Sequence, residues 1–296
     1  MPNTPAYIGR FAPTPSGQLH FGSLLAALAS YLDARQAGGQ WLVRIEDLDL
    51  PRNLPGAADQ ILQTLDTYGL HWDATVLWQS QRTDYYQHLI DQLLAAGQAF
   101  YCDCSRRELQ VHAGIYPGTC RQRQLPAAAD RAIRVQVDDH PLSFIDRLQG
   151  PFTQRLQTEV GDFIIRRRDG IIAYQLAVVA DDIAQQVSDV VRGADLLDST
   201  PRQLWLYQLL GARPPRHLHI PLAMRRDGEK LSKRLASTPL AAEQAPATLF
   251  RALQVLAQEP PAELAGADVS ELLGWATSHW QPERLPARQQ LPELSE

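Results

Sequence analysis

Tyr7-Ile8-Gly9-Arg10-Phe11-Ala12-Pro13-Thr14-Pro15-Ser16-Gly17-Gln18-Leu19-His20-Phe21-Gly22-Ser23 is the stretch whose reading decides the fold. Tyr7 to Ala12 is short and largely apolar, the pattern of a strand, and Pro13, Pro15 and Gly17 break it. From about His20 the residues Leu24, Leu25, Leu28 and Leu32 recur at helical spacing, and Gly38-Gly39 closes the run. A strand that feeds a helix through a Pro/Gly turn sets the helix N-terminus at a sheet edge. Unpaired N–H groups and the helix dipole attract anions there. His20 and Gly22 fall at that point. Glycine lets a ligand approach closely, and histidine can donate to a phosphate oxygen. A His-x-Gly alone is a weak signal.

The flanking sequence extends the pattern. Gln40 to Asp47 reads as a strand ending in charge, and Ala57–Tyr68 and Thr83–Ala96 read as helices, with Thr83 as N-cap and Gly97 as stop. This βαβα opening predicts an α/β fold, a Rossmann-type doubly wound parallel sheet, whose first half spans 1–97. The segment 98–170 breaks the rhythm, with a turn at Leu125-Pro126 and short strands near Ile133–Val137 and Phe163–Arg166, and reads as an insertion. The pattern resumes over 171–240. Ala173–Ala180 is apolar and ends in Asp181-Asp182. Val187–Arg192 is a strand, Thr200-Pro201 caps a helix through Leu210, with Pro at the first helical position, and His219–Met224 is a last strand. The segment 241–296 is short and helical, with helices at Ala245–Ala257 and Val269–His279 and a polar, Pro-rich tail. Ligands in such sheets bind beyond the C-terminal strand ends. Arg10, Glu46, Arg192 and the loop after His219–Met224 all belong to that edge.

That loop holds the second signal. Of 28 basic residues only two are lysine, and both lie in Lys230-Leu231-Ser232-Lys233-Arg234. A background that disfavours lysine points to a site that arginine does not serve: a compact ammonium on a flexible stem, suited to a phosphate. The competing reading is a solvated charged loop after Arg225-Arg226-Asp227-Gly228.

The three cysteines, Cys102, Cys104 and Cys120, cluster within the insertion. The odd count and the Cys-Asp-Cys spacing argue against a disulfide framework. Structural zinc takes four ligands, and His112 or Tyr116 can be the fourth. Three unliganded thiols in a loop are the plain alternative.

A 296-residue chain with 45% hydrophobic and 21% charged residues is ordinary for a globular protein with a real core. The net charge of −5 does not announce a nucleic-acid binder, so RNA contacts must use local patches such as Arg166-Arg167-Arg168 or Arg225-Arg226. Met1 to Pro5 is polar and no apolar run reaches a membrane span, so a cytoplasmic protein without a membrane partner is expected.

Taken together, the two outer motifs resemble the H-I-G-H and K-M-S-K-S signatures of class I aminoacyl-tRNA synthetases. Arg-Phe-Ala-Pro-Thr-Pro-Ser-Gly-x-Leu-His-x-Gly narrows the likeness to the glutamyl/glutaminyl branch, and it runs from about Tyr7 to Leu235. Ser23 stands where the first signature ends in His, and Arg234 where the second ends in Ser. The resemblance implies ATP binding by His20, Gly22, Lys230 and Lys233, with His20 and Lys233 catalytic and Mg2+ accompanying ATP. It implies an L-glutamate pocket of Arg10, Phe11, Ala12, Pro13, Thr14, Glu46, Tyr174 and Arg192, with Arg192 on the side-chain carboxylate. Two arginines suit the two carboxylates, Glu46 the ammonium, and Tyr174 adds a hydroxyl. It favours one structural zinc on Cys102, Cys104, Tyr116 and Cys120, in an insertion of the acceptor-binding type.

Only 56 residues follow Leu240, too few for the anticodon-binding domain of a full glutamyl enzyme. The likeness to truncated members of the branch implies glutamate activation without tRNA, then transfer to queuosine in the anticodon of tRNA(Asp) by a monomer. A reduced synthetase charging a tRNA 3′ end, and a non-catalytic zinc-bearing RNA-binding paralogue, are the alternatives.

Overall fold

The computed structural model describes residues 7–110, 112, 114–222 and 240–287. Strand β1 (Ile8–Phe11), helix α1 (Phe21–Gln36), strand β2 (Gln40–Ile45), helix α2 (Ala57–Thr67), strand β3 (Leu77–Trp78) and helix α3 (Thr83–Ala95) follow one another. β2 pairs in parallel with both β1 and β3. The return from α1 to β2 is tight enough to require glycine. A Cβ on Gly39 would lie 2.3 Å from the Tyr7 carbonyl oxygen, which accepts the Gln40 N–H at 2.9 Å.

The next segment departs from the parallel pattern. It contains β4 (Ala99–Cys102), α4 (Arg106–Gln110), β5 (Ala132–Val135), β6 (Pro141–Asp146), β7 (Gly150–Arg155), α5 (Leu156–Glu159) and β8 (Phe163–Arg166). β4, β5 and β8 form an antiparallel sheet, and β6 and β7 form an antiparallel hairpin. β8 and most of β5 lie where the sequence pattern predicts strands, whereas β4 and the hairpin carry no such pattern.

Helix α6 (Tyr174–Ala184), strand β9 (Asp189–Gly193), helix α7 (Thr200–Leu209) and strand β10 (Arg216–Ile220) restore the α/β order. β9 and β10 are parallel. β9 enters beside β1, with the Ser188 N–H donating to the Ile8 carbonyl at 2.9 Å. The parallel strands therefore run β3, β2, β1, β9, β10, with the reversal of strand order between β1 and β9. Helices α8 (Ala245–Val255) and α9 (Val269–His279) pack back on α1.

Alternation along β2 divides the core. Trp41, Val43 and Ile45 join α1, α2, α8 and α9 in one cluster, in which Leu28 and Leu32 are fully buried. Burial of each such side chain stabilises the fold by roughly 1.5–3 kcal/mol. Arg44 faces the other way, toward α6, where it donates to the Val178 carbonyl at 3.3 Å. A second cluster gathers α3, α6, α7 and the antiparallel strands. Helices on both faces of a parallel sheet are what the βαβα reading predicts.

Several boundaries move. The last strand, expected over His219–Met224, starts earlier: β10 pairs from Arg216↔Asp189 to Ile220↔Gly193, where Pro221 has no N–H to continue the ladder, and Ala223 and Met224 lie outside the described residues. Helix α6 runs past Ala180 and carries Asp181 and Asp182 inside it, both buried. Thr83 and Thr200 are the first residues of their helices rather than caps; Arg82 and Ser199 take the cap positions without side-chain cap bonds. Among the described residues no helix is long and apolar enough to cross a membrane.

Candidate active site

A cleft of about 810 Å³ opens at the C-terminal ends of β1, β2 and β9. The run Arg10–Thr14 lines it, as do Glu46, Tyr174, Arg192 and His20, so residues scattered over the sequence converge on one cavity. Arg52, Leu54 and Leu196 also line it and had no signal in the sequence.

Glu46 follows β2 directly. Its Oε1 is enclosed and has no hydrogen-bond partner among the described residues. Burial pushes its carboxyl up to about 7, although Arg44 and Arg10 pull the other way. A carboxylate set in this way awaits a cation.

The two arginines differ. Arg10, on β1, is already engaged: its Nε donates to Asp182 Oδ1 at 3.2 Å and its Nη2 to Asp182 Oδ2 at 3.4 Å. Fully buried Arg44 also pairs with Asp182, and lies 3.9 Å from Asp181. Burial would raise the Asp182 carboxyl, but Arg10 and Arg44 hold it below the usual range. Arg10 is thus part structural ion pair and part cleft wall, and Asp182 is a partner that the sequence reading did not assign.

Arg192, on β9, makes no ion pair among the described residues. Its Nε donates to His219 Nε2 at 2.9 Å and its Nη2 to Thr200 Oγ1 at 2.8 Å and to the Leu196 carbonyl at 3.3 Å. Burial lowers its pKa. His219 Nδ1 in turn lies 2.6 Å from Asp146 Oδ2. Tyr174 begins α6, and burial raises its phenol pKa while Arg192 opposes that shift.

At the other end of the cleft His20 caps α1. Its Nδ1 accepts the Ser23 N–H at 3.2 Å, and its Nε2 lies 3.0 Å from Ser23 Oγ. Because the Ser23 amide can only donate, the neutral ring carries its proton on Nε2. Burial lowers the His20 pKa and so favours that neutral form. Gly22 stands behind the ring: a Cβ there would meet His20 Cε1 and Nδ1 at 3.2 Å. Ser23, the departure from the signature, supports the histidine. Lys230 and Lys233 lie outside the described residues, as do Arg225, Arg226 and Arg234. The described residues on either side of that stretch meet the cleft wall. A Cβ on Gly193 would sit 3.1 Å from Leu222, and the Leu240 N–H donates to the Leu19 carbonyl at 3.4 Å.

The cysteines also converge. Cys102, Cys104 and Cys120 Sγ lie within 4.8 Å of one another. The Tyr116 hydroxyl is 3.6 Å from Cys102 Sγ and 3.9 Å from Cys104 Sγ, and accepts the Cys120 N–H at 2.8 Å. His112 lies on an exposed turn and is not part of this group. Arg134 Nε donates to Cys102 Sγ at 3.3 Å. Burial raises the Cys102 thiol pKa, but the hydrogen bonds it shares with Tyr116 and Arg134 outweigh that and leave the thiol below its usual range. Three thiols and a phenol around one point suit a tetrahedral, borderline-soft cation.

The triple arginine is less free than its sequence suggests. Arg166 reaches Gln87 and the Ala129 carbonyl, Arg167 pairs with Asp169 at 2.6 Å, and Arg168 Nε donates to the Asp130 carbonyl at 3.0 Å.

The family model of class I tRNA synthetases (E and Q), catalytic domain, matches residues 8–248. A glutamyl-Q tRNA(Asp) synthetase of Pseudomonas aeruginosa is 58% identical over 290 residues, covering 98% of this chain and 99% of its own length. One of Ectopseudomonas mendocina is 59% identical over 288 residues, covering 97% and 98%. A crystal structure of a glutamate tRNA ligase from Elizabethkingia meningosepticum, in complex with its amino acid, matches with a TM-score of 0.80 at 24% identity. That match covers 95% of this chain and 66% of the other, and is a likeness of fold.

Proposed function

The chain belongs to the class I tRNA synthetases of the glutamyl and glutaminyl type, and within them to the glutamyl-Q tRNA(Asp) synthetases, and on that premise we propose how its cleft serves a ligase reaction. ATP and L-glutamate form glutamyl-adenylate and pyrophosphate without tRNA. The glutamyl group then passes to queuosine in the anticodon of tRNA(Asp), as an ester on its cyclopentenediol. The observation that carries this reading is the meeting in one cleft of two groups that lack a charged partner among the described residues: Glu46 Oε1, without any hydrogen bond, and the Arg192 guanidinium, held by neutral acceptors alone. They complement the ammonium and the side-chain carboxylate of glutamate. Tyr174 adds a hydroxyl, and Arg10–Thr14 form the wall.

In the first step a glutamate α-carboxylate oxygen bonds to the α-phosphorus of ATP as the bond to pyrophosphate breaks. Negative charge rises on the phosphoryl oxygens, so positioning and charge stabilisation dominate. The N–H groups that open α1 face that charge, and the Nε2–H of His20, which rests on Ser23 Oγ at 3.0 Å, can turn from that hydroxyl to a phosphoryl oxygen. Lys233 is assigned to the opposite side, with Lys230 and Gly22 assisting; Leu222 and Leu240 at the cleft wall support the assignment. Mg2+ accompanies ATP. One structural zinc is assigned to Cys102, Cys104, Tyr116 and Cys120. We read the protein as a cytoplasmic monomer divided into 1–97, 98–170, 171–240 and 241–296. The cleft lining falls wholly within the first and third of these units, which supports that division.

The test is the position of labelled glutamate after incubation with tRNA(Asp). Transcripts lacking the 3′-terminal adenosine but carrying queuosine should be glutamylated, and intact tRNA(Asp) lacking queuosine should not. The reverse pattern would make the protein a 3′-end synthetase.

A further inference from the structure

Arg192 is 5% exposed, and every group that holds it is neutral: the His219 ring, the Thr200 hydroxyl and the Leu196 carbonyl. Its Nη1 has no partner among the described residues. Arg10 provides the contrast, because its acceptor is the carboxylate of Asp182. An arginine aligned by neutral acceptors keeps its positive charge uncompensated at contact distance, whereas a carboxylate would neutralise it; Asp182 and Glu46 act on it only from farther off. His219 serves as such an acceptor in one state only. Asp146 Oδ2, 2.6 Å away, requires a proton on Nδ1, which leaves the Nε2 lone pair for Arg192. The opposite tautomer would set an N–H of His219 against the Arg192 Nε–H. Asp146 is itself fixed: it is 2% exposed and accepts the N–H groups of Leu148 at 3.0 Å, Gln149 at 2.9 Å and His219 at 3.1 Å. His219 stacks on His217, with ring centroids 5.8 Å apart.

We propose that His219, held by Asp146 in its Nδ1–H tautomer, is a positioning residue that aims the uncompensated Arg192 charge into the cleft and thereby sets the preference for an acidic amino-acid side chain. This deepens the glutamate reading and rests on the assignment of Arg192 made there. Asp146 closes β6, so the hairpin that interrupts the parallel fold contributes to amino-acid selection without lining the cleft. A structural staple between the hairpin and β10 is the competing role, and it needs only the Asp146 contact.

Two substitutions separate the roles in glutamate-dependent ATP–pyrophosphate exchange without tRNA. The amide nitrogen of His219→Asn falls near the original Nδ1 and keeps Asp146 while losing Arg192. The amide of His219→Gln falls near Nε2 and keeps an acceptor for Arg192 while losing Asp146. The relay predicts that H219N raises KM for glutamate about tenfold, the loss of one hydrogen bond to a charged group, with KM for ATP unchanged and a smaller fall in melting temperature than in H219Q. H219Q should keep KM for glutamate near wild type and melt earlier. The opposite pattern would make His219 a staple and overturn the proposal. Thr200→Val removes another acceptor of the same guanidinium without touching Asp146 and should also raise KM for glutamate. If both H219N and T200V leave it unchanged, the relay falls. Arg192→Gln is the control: a large rise in KM for glutamate there, with none in H219N, overturns the relay alone. No rise in R192Q overturns the assignment of Arg192, and the relay with it.

Discussion

At Glu46 the fold works against a charge. Burial lifts the carboxyl from an ordinary 4.5 to about 7. The folded state therefore holds a proton between those values that the unfolded chain has released. Stability from this group is present below about pH 4.5, declines as pH rises toward 7, and stays reduced above it. Glu46→Gln removes that decline. It should unfold later than wild type at pH 8, by roughly 1–3 kcal/mol, since each tenfold change in proton affinity is worth about 1.4 kcal/mol, and the difference should vanish near pH 4. The same variant should lose glutamate activation. In wild type, KM for glutamate should fall as pH rises through about 7, because the ammonium needs the ionised carboxylate; E46Q should lack that dependence. Equal melting of the two proteins at pH 8 would show that the carboxylate is not strained. Glu46 was legible because it ends an apolar strand in charge. The engagement of Arg10 was not, because Asp182 lies 172 residues away and is masked inside an apolar helix.

Helix α1 combines a structural cap and the proposed phosphate contact at one terminus. His20 satisfies the Ser23 amide and rests its Nε2–H on Ser23 Oγ, and Gly22 leaves room for the ring. Gly22→Ala should stabilise the helix by up to about 1 kcal/mol. Its methyl would press on the ring at 3.2 Å and turn it, slowing pyrophosphate exchange by up to about a hundredfold if the donor is lost. His20→Asn should keep the cap, since asparagine is among the best N-caps, and lose a similar factor in rate. Melting curves and exchange rates of the two variants check this; full activity in both would remove the α1 terminus from the reaction. Elements with a clean period, such as β1, α1 and β8, were readable. The β6–β7 hairpin was not: Pro141 and Pro151 sit in its strands and Ile145 is 79% exposed, so neither alternation nor composition marks it as sheet. β10 was read three residues late because Arg216-His217 after two prolines look like loop, although Arg216 pairs with Asp189.

Across the whole molecule the cleft and the cysteine cluster are separate constructions. All residues lining the cleft come from 10–61 and 174–196, and the cluster around Cys102, Tyr116 and Cys120 shares no member with the two larger cores. The convergence of both candidate groups was legible because each rests on residue types that are scarce in this chain or fixed by a motif. What joins them to the body was not legible. Arg168 reaches the Asp103 carbonyl at 3.5 Å and Arg134 lies over the Tyr116 ring at 3.9 Å, contacts set by tertiary packing alone. This separation predicts an uncoupling. Metal analysis should find about one zinc per chain, and Cys104→Ser or a chelator should remove it. Pyrophosphate exchange with glutamate should then survive nearly unchanged, since no cleft wall moves, while glutamylation of tRNA(Asp) should drop at least about tenfold, the usual effect of a disrupted metal surround. Tyr116→Phe should behave like Cys104→Ser, and His112→Ala like wild type. Loss of exchange together with zinc would mean that the cluster supports the cleft after all. Loss of zinc in the His112 variant alone would replace Tyr116 as the fourth ligand.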